Sequence, residues 1–258
     1  MTYLILGIDA ATWDVVKPNL EELPYFNKLI DICEIKNLEI SEAPLSPLIW
    51  TGMFSGTYYE EHNHKEFVED NEIVSRDDLD FSFIWDELDE KMDVRALNVP
   101  FIVPTYSYNV DYEPVGFGLP TDEEEWKEEL EKISDKTKEI LKEEPDLVIS
   151  VFTLLDRVQH FHWGEDKVLE WYKKLDKKLG ELLFDSGFLE KKENKLIIVS
   201  DHGFCGFDEA EVQTLPKEGS ERELKGDHSR EAILLTKNIN GEIENPQDIY
   251  KVIKKEIN

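Results

Sequence analysis

The sequence predicts an α/β fold, in which one mostly parallel central sheet carries helices on both faces. Three short apolar runs rich in β-branched residues are typical of strands buried on both faces: Tyr3–Ile8, Leu147–Leu155 and Leu196–Val199. Segments with apolar residues at helical spacing separate these runs, and that alternation is the pattern of a parallel sheet between two helical layers. No internal repeat interrupts it, so we expect a single domain over residues 1–258.

The remaining elements follow from periodicity and from helix-boundary residues. Further strands are predicted at Ile35–Ile40, Val94–Val99 and Ala232–Leu235. Helices are predicted at Glu21–Ile32, Pro47–Phe54, Leu79–Lys91, Thr121–Glu144 and Lys167–Phe184, and from about Pro246 to the end. The segment 100–120 is rich in Pro, Gly and Tyr and has no period, which predicts an irregular excursion on the substrate side.

The chain is strongly acidic: 29 Lys and Arg residues stand against 58 Asp and Glu residues, for a formal net charge of -29. A field of this sign opposes binding to nucleic acid backbones and to anionic membranes, so we expect neither as a partner. No leader sequence or apolar run of membrane-spanning length is recognisable, and the two cysteines form no C-x-x-C pattern. These features predict a cytoplasmic protein with free thiols; a Cys33–Cys205 disulfide is the alternative.

An aspartate closes each of the three apolar runs: Asp9, Asp156 and Asp201. Ligands of open α/β sheets bind beyond the carboxyl ends of the parallel strands, where these three side chains would meet. Each aspartate also has an ordinary interpretation, since Asp9 can cap a helix and Asp201-His202-Gly203 can be a polar turn. Three carboxylates at one edge favour a shared site over three unrelated local uses.

Histidines accompany these carboxylates at spacings that suit metal binding. His202 follows Asp201 directly, and His160 lies four residues after Asp156, on the same face of any helix that begins there. His228 precedes the last predicted strand, whereas His162 would point elsewhere on its helix and is not expected to be a ligand. Mixed Asp and His ligands suit zinc, and the carboxylate-rich half also suits manganese.

Ser46 is the candidate nucleophile. It precedes Pro47, and proline favours the first helical position, so Ser46 is predicted to be the N-cap of the helix Pro47–Phe54. The free N–H groups and the dipole at a helix N-terminus favour phosphate and would stabilise a serine alkoxide. The alternative is a serine that only caps the helix.

Five stretches occur in the order seen in the alkaline phosphatase superfamily, and they most resemble its type I phosphodiesterase/nucleotide pyrophosphatase branch. They are Gly7–Asp14, Pro44–Gly56, Asp156–His160, Asp201–Phe204 and Gly226–His228. The resemblance covers essentially the whole chain and implies an alkaline-phosphatase-like core with two divalent metal ions. One ion would be held by Asp9, Asp201, His202 and the nucleophile Ser46, and the other by Asp156, His160 and His228.

The resemblance implies a metal-dependent phosphoester hydrolase that acts on phosphodiesters or nucleotide pyrophosphate bonds of a small phosphorylated substrate. Ser46 would attack phosphorus in line, and water would then hydrolyse the phosphoserine. The alternatives are a phosphomonoesterase, a phosphoryl transferase similar to phosphoglycerate mutases, and a non-catalytic metal-binding protein of the same fold. A competent residue fills every expected ligand position, which weighs against the last alternative.

Two positions depart from the pattern of this branch. The branch usually carries threonine as nucleophile where Ser46 aligns, so Thr51 is a second candidate, although it would sit a turn inside the helix. The branch also places an asparagine after its His-Gly segment to contact the non-transferred phosphoryl oxygens. In the aligned stretch His62–Phe67, Asn63 stands in place of the glycine and Phe67 lies near the asparagine position. Asn63, His64 and Lys65 are the candidates to replace that asparagine.

Overall fold

The structure is a computed structural model that describes residues 1–214 and 223–257. The strands of this part of the chain are β1 (Tyr3–Ile8), β2 (Glu34–Glu39), β3 (Val68–Glu69), β4 (Glu72–Ile73), β5 (Val94–Val99), β6 (Tyr106–Tyr108), β7 (Leu147–Phe152), β8 (Lys195–Val199), β9 (Gly203–Gly206), β10 (Gly226–Ser229) and β11 (Glu231–Lys237). Its helices are α1 (Trp13–Val16), α2 (Pro24–Ile32), α3 (Ser46–Ser55), α4 (Tyr59–His62), α5 (Ile84–Leu88), α6 (Glu123–Lys142), α7 (Leu154–His162), α8 (Asp166–Gly180) and α9 (Asp248–Ile257).

Seven strands form the central sheet in the order β2-β11-β8-β1-β7-β5-β6. The four central strands run parallel, with β1 between β7 and β8 and with β5 beside β7. The strand β11 is antiparallel to β8, and β6 is antiparallel to β5, so the reversed pairings lie toward the two edges. The predicted α/β class with a mostly parallel sheet is confirmed.

Side chains of β1 alternate between two cores, one on each face of the sheet. Leu4, Leu6 and Ile8 belong to a buried cluster that includes residues of α2, α6, α7 and α8. Tyr3 and Ile5 belong to a second cluster, which includes residues of α3, α5 and α9. This alternation follows from the two-residue period of a strand, and it explains why β1 is apolar at nearly every position.

Gly7 allows α3 to approach the middle of the sheet. A Cβ atom at this position would lie 2.6 Å from Cη2 of Trp50, a side chain of α3 that is fully buried. No larger residue fits without displacing the indole, since real Cβ atoms do not approach other atoms so closely. The contact fixes α3 against β1 just before the strand reaches its carboxyl end.

Several predicted boundaries were wrong, each for a local reason. The helix predicted at Leu79–Lys91 is only Ile84–Leu88. The strand predicted to reach Leu155 ends at Phe152, because the α7 helix already begins at Leu154. The helix predicted to begin at Thr121 begins at Glu123, because Asp122 caps it by accepting from the N–H groups of Glu124 and Glu125.

Two features of the described chain bear on the expectations from composition. No helix in residues 1–214 and 223–257 is long and apolar enough to cross a membrane. Cys33 and Cys205 are both free thiols, so the disulfide alternative does not apply. The segment 100–120 is irregular apart from β6.

Candidate active site

Three buried carboxylates meet at one edge of the sheet. Asp9 follows β1, Asp201 follows β8, and Asp156 lies in the first turn of α7, directly after β7. Because these three strands are parallel neighbours, their carboxyl ends share an edge. All three side chains are buried, and Asp9 Oδ1 and Asp201 Oδ2 have no hydrogen-bond partner among the described residues. The sequence predicted this convergence.

The Nε2 atoms of three histidines point toward these carboxylates. His202 donates Nδ1–H to the Gly203 carbonyl at 2.9 Å, and His160 donates to the Gly226 carbonyl at 3.0 Å. His228 donates Nδ1–H to the Pro44 carbonyl at 2.6 Å. A carbonyl can only accept, so each neutral ring carries its proton on Nδ1 and keeps the Nε2 lone pair free. Metal-ligating histidines are commonly oriented in this way.

The donor atoms form two groups of three, Asp156-His160-His228 and Asp9-Asp156-His202, and the atoms of each group lie within 4.8 Å of one another. In the first group, His228 Nε2 is 2.9 Å from Asp156 Oδ1 and 3.2 Å from His160 Nε2. In the second, His202 Nε2 lies 3.5 Å from Asp9 Oδ1. A further carboxylate oxygen, Asp201 Oδ2, is 3.3 Å from His202 Nε2.

The buried carboxylates of this cluster favour a bound cation. Burial, together with the neighbouring Asp201 and Asp156 carboxylates, raises the pKa of Asp9 well above its usual range. Burial also lowers the pKa of His202, so that this ring is held neutral. Burial acts against the charge of Asp156 as well, but His160 and His228 hold its pKa well below the usual range.

The residues present therefore fit divalent metal ions. Three buried carboxylates with two oxygens that lack a partner among the described residues are costly without positive charge, and the Nε2 atoms of three imidazoles lie beside them. This mixture of oxygen and nitrogen donors is the set that zinc and manganese accept. The family resemblance led to the same residues, with two differences: Asp156 belongs to both groups, and Asp201 belongs to neither, although it lies beside His202.

Ser46 is the first residue of α3, and it was wrongly predicted to be the cap. Leu45 occupies the cap position, and no side chain caps the helix. The Ser46 hydroxyl instead lies 3.3 Å from His202 Nε2, to which it can donate. The ordinary interpretation of Ser46 as a capping serine therefore loses its basis, whereas its place at a helix N-terminus beside the cluster remains.

Thr51, the second candidate nucleophile, lies inside α3 and is fully buried. Its hydroxyl oxygen has no hydrogen-bond partner among the described residues, and it does not line the cleft that contains Ser46. A substrate phosphorus could reach it only after a large rearrangement of the helix.

A buried glutamate holds the start of α7, the helix that carries Asp156 and His160. Glu129 accepts from the Thr153 N–H at 2.6 Å and from the Thr153 hydroxyl at 2.8 Å. These contacts satisfy a backbone donor that the first turn of a helix leaves free. Burial raises the pKa of Glu129 to about 7. No sequence pattern indicates this role, since Glu129 is one acid among many on α6.

Replacing Glu129 with Gln should flatten the pH dependence of the free energy of unfolding. The folded carboxyl holds its proton up to about pH 7, against 4.5 for an ordinary glutamate. Its stabilising contribution is therefore full below pH 4.5 and lost as the pH rises through 7, by about 3 kcal/mol in all. Denaturant titrations from pH 4.5 to 8 measure this slope, and Glu128→Gln, an exposed neighbour, is the control. Equal slopes in wild type and Glu129→Gln would contradict the assignment.

A cleft of about 510 Å³ opens beside the cluster. One wall consists of Ser46, Asp156, His160 and His228, and the opposite walls come from residues 65–68 and 212–214. None of its described lining residues belongs to the segment 100–120, whose place on the substrate side stays a prediction.

Of the three candidates for the missing asparagine, Lys65 lines the cleft. His64 is buried, and its Nε2 donates to the Phe101 carbonyl at 2.7 Å. Asn63 and His64 line a different depression, beside the acidic residues of the β3–β4 hairpin. A further cation that the sequence analysis did not single out, Arg157, also lines the cleft.

The family described as type I phosphodiesterase / nucleotide pyrophosphatase matches residues 3–257. The chain belongs to this family. Membership makes it a phosphoester hydrolase, in agreement with the phosphatase-like arrangement of carboxylates and imidazoles at the sheet edge. A comparison with curated proteins gives no match.

Several solved structures of other proteins have the same fold as this member of the phosphodiesterase family. Murine ectonucleotide pyrophosphatase / phosphodiesterase 5 superposes with a TM-score of 0.68 at 15% identity, covering 100% of this chain and 95% of that one. The human protein of the same name gives 0.64 at 17% identity, with 100% and 95% coverage. Phosphonoacetate hydrolase from Sinorhizobium meliloti 1021, in complex with phosphonoformate, gives 0.60 at 14% identity, covering 80% of this chain and 57% of that one.

Proposed function

We propose that the chain is a metal-dependent phosphodiesterase or nucleotide pyrophosphatase with Ser46 as nucleophile. The observation that carries this proposal is the position of the Ser46 hydroxyl, 3.3 Å from His202 Nε2 and on the wall of the cleft that Asp156, His160 and His228 also line. A nucleophile must stand beside the groups that activate it and open to substrate, and Ser46 meets both conditions.

The cluster would hold two divalent ions, one at each end. Asp9, His202 and Asp201, with the Ser46 oxygen, would form one site, and Asp156, His160 and His228 would form the other. Such ions supply Lewis-acid activation and charge neutralisation at the reacting oxygens. Zinc suits the imidazole-rich site, and manganese is the alternative for the carboxylate-rich one.

The protein's own residues then account for the rest of the reaction. Ser46 Oγ attacks phosphorus, its P–O bond forms, and the bond from phosphorus to the leaving oxygen breaks. The N-terminus of α3, where Ser46 is the first residue, favours negative charge on that Oγ through the partial positive charge of the helix dipole. Water then cleaves the phosphoserine and restores the hydroxyl. A small nucleotide-like substrate is supported by a murine relative solved as an inactive form in complex with AMP.

The proposal predicts hydrolysis of a chromogenic phosphodiester that disappears after chelation and returns when zinc or manganese is added back. A chromogenic phosphomonoester, assayed in parallel, tests the phosphatase alternative. Metal-independent turnover, or stoichiometric metal binding with no turnover of either substrate, would contradict the proposed function. The second outcome would support the non-catalytic alternative.

A further inference from the structure

Arg157 lines the cleft with a guanidinium whose Nε–H has no hydrogen-bond partner among the described residues. Its side chain is 19% exposed, and its Nε is buried. The nearest carboxylate oxygen, Asp156 Oδ2, is 3.7 Å from Nε, beyond hydrogen-bond distance. A buried donor left unpaired costs stability, and native proteins seldom leave one without a reason. Because no described residue accepts from this Nε–H, a substrate oxygen is the expected acceptor.

Lys65 presents a second cation to the same cleft, from the loop before β3. Its side chain is 45% exposed, and its carboxylate neighbour, Glu66 Oε1, lies 3.6 Å from Nζ, a distance typical of a loose surface pair. An exposed lysine with such a partner adds little to folding. The position of Lys65 on the cleft lining therefore bears on substrate binding rather than on folding.

Charge balance indicates what these two cations meet. Two divalent ions carry four positive charges, which three carboxylates and one serine alkoxide cancel. A substrate with one negative charge would thus match only one of the two cations, Arg157 and Lys65, although the protein as a whole carries a net charge of -29. Glu66, on the same lining, is 56% exposed and pairs only loosely with Lys65, so it offsets little of that charge. A substrate with two negative charges matches both cations. The planar guanidinium suits two phosphoryl oxygens at once, and the ammonium suits one.

We propose that Arg157 and Lys65 form a cationic pair that selects substrates with two negative charges at the phosphoryl end over simple diesters with one. This inference rests on the proposed function of Ser46, which lines the same cleft. The two charges can belong to one terminal phosphoryl group or to the two neighbouring groups of a diphosphate linkage. Both place a second anionic oxygen beside the attacked phosphorus.

The kinetic test compares three substrates in the metal-loaded protein: bis(p-nitrophenyl) phosphate, with one charge, and p-nitrophenyl phosphate and a dinucleoside diphosphate, with two each. Lys65→Gln and Arg157→Gln should each lower kcat/KM about 10-fold or more for the doubly charged substrates and less than about 3-fold for the diester. Arg157→Lys, which keeps the charge but loses the planar fork, should fall between. The doubly charged substrate whose kcat/KM falls more shows whether the second charge belongs to a terminal phosphoryl group or to a diphosphate linkage.

The control is Lys191→Gln, which changes the net charge equally. Lys191 pairs with Glu144 and lines a cavity with Thr2, at the opposite edge of the sheet from the cluster. It should leave all three substrates unchanged. Equal losses on all three substrates in Lys65→Gln and Arg157→Gln, or no loss on any, would overturn the proposal.

Binding measurements test the pair without turnover. Calorimetry on the Ser46→Ala protein, with its metal content verified, would compare AMP with its 5′-methyl ester, since the two ligands differ by one phosphoryl charge. AMP should bind about 10-fold more tightly, and the difference should vanish in the double variants with Lys65→Gln or Arg157→Gln. Equal affinities for AMP and its ester would overturn the proposal. Failure of the wild type to hydrolyse any phosphoester would refute only the proposed function, because this binding comparison stands apart from catalysis.

Discussion

Ser46→Ala should lower kcat by at least about 1,000-fold, because loss of a nucleophile removes the covalent route and leaves only the surrounding groups. The same change should lower the free energy of unfolding by less than about 1 kcal/mol, since Ser46 makes no capping hydrogen bond that alanine would lose. Steady-state kinetics and denaturant titration measure the two quantities. Their difference in size separates a catalytic serine from a structural one.

Two further variants sharpen this result. Ser55→Ala is the matched control, because Ser55 lies at the other end of α3, is buried, and bonds to the Thr57 hydroxyl at 2.6 Å. It should lose stability and keep turnover. Ser46→Thr should keep partial activity, because threonine supplies the same oxygen with one added methyl group. Wild-type protein quenched with acid during turnover should carry one phosphoryl group on Ser46. Near-normal turnover by Ser46→Ala would contradict the serine mechanism.

His228→Ala should reduce the bound metal from two ions per chain toward one and reduce turnover by more than about 100-fold, the upper range for loss of an outer-shell partner. His228 Nε2 contacts both Asp156 and His160, whereas the group of Asp9 and His202 does not include it. Elemental analysis after dialysis measures the metal, and a chromogenic phosphodiester measures the rate. The remaining ion should stay with the Ser46 side of the cluster.

Two other histidines serve as checks. The rings of His228 and His202 stack with centroids 3.5 Å apart, so His228→Ala can also disturb His202. His160→Ala removes a donor from the same group, and its ring has no such stacking contact with His202 in the described structure; it should give the same metal loss. His162→Ala is the control, because His162 pairs with Glu165 and belongs to neither group. Unchanged metal in both His228→Ala and His160→Ala would show that these residues are not ligands.

The sequence was informative wherever a local rule acts alone. The strand at Tyr3–Ile8 was predicted to the residue, because a strand buried on both faces must be apolar throughout. The edge that carries Asp9 and Asp201 followed from the direction of parallel strands, which needs no coordinates once the strands are recognised. Spacing alone likewise placed Asp156 and His160 on one face of α7.

Predictions from local sequence patterns were wrong where contacts between distant residues determine the secondary structure. Leu79–Lys91 has a helical pattern, yet only five of its residues form α5, since Phe81 and Phe83 join an aromatic cluster with Trp85 instead. The hairpin of β9 and β10 was not predicted, although it places His228 opposite Phe204. The sequence of one segment does not indicate which distant segment it pairs with.

The sequence by itself determined the α/β class, the edge of the sheet where chemistry can occur, and the types of residue gathered there. Only the tertiary structure decided that Ser46 contacts His202 rather than capping α3, that His64 turns away to Phe101, and that Arg157 and Lys65 share the cleft. The physical reason is that strand and helix patterns depend on near neighbours along the chain. The orientation of a polar side chain depends on which donors and acceptors folding brings beside it.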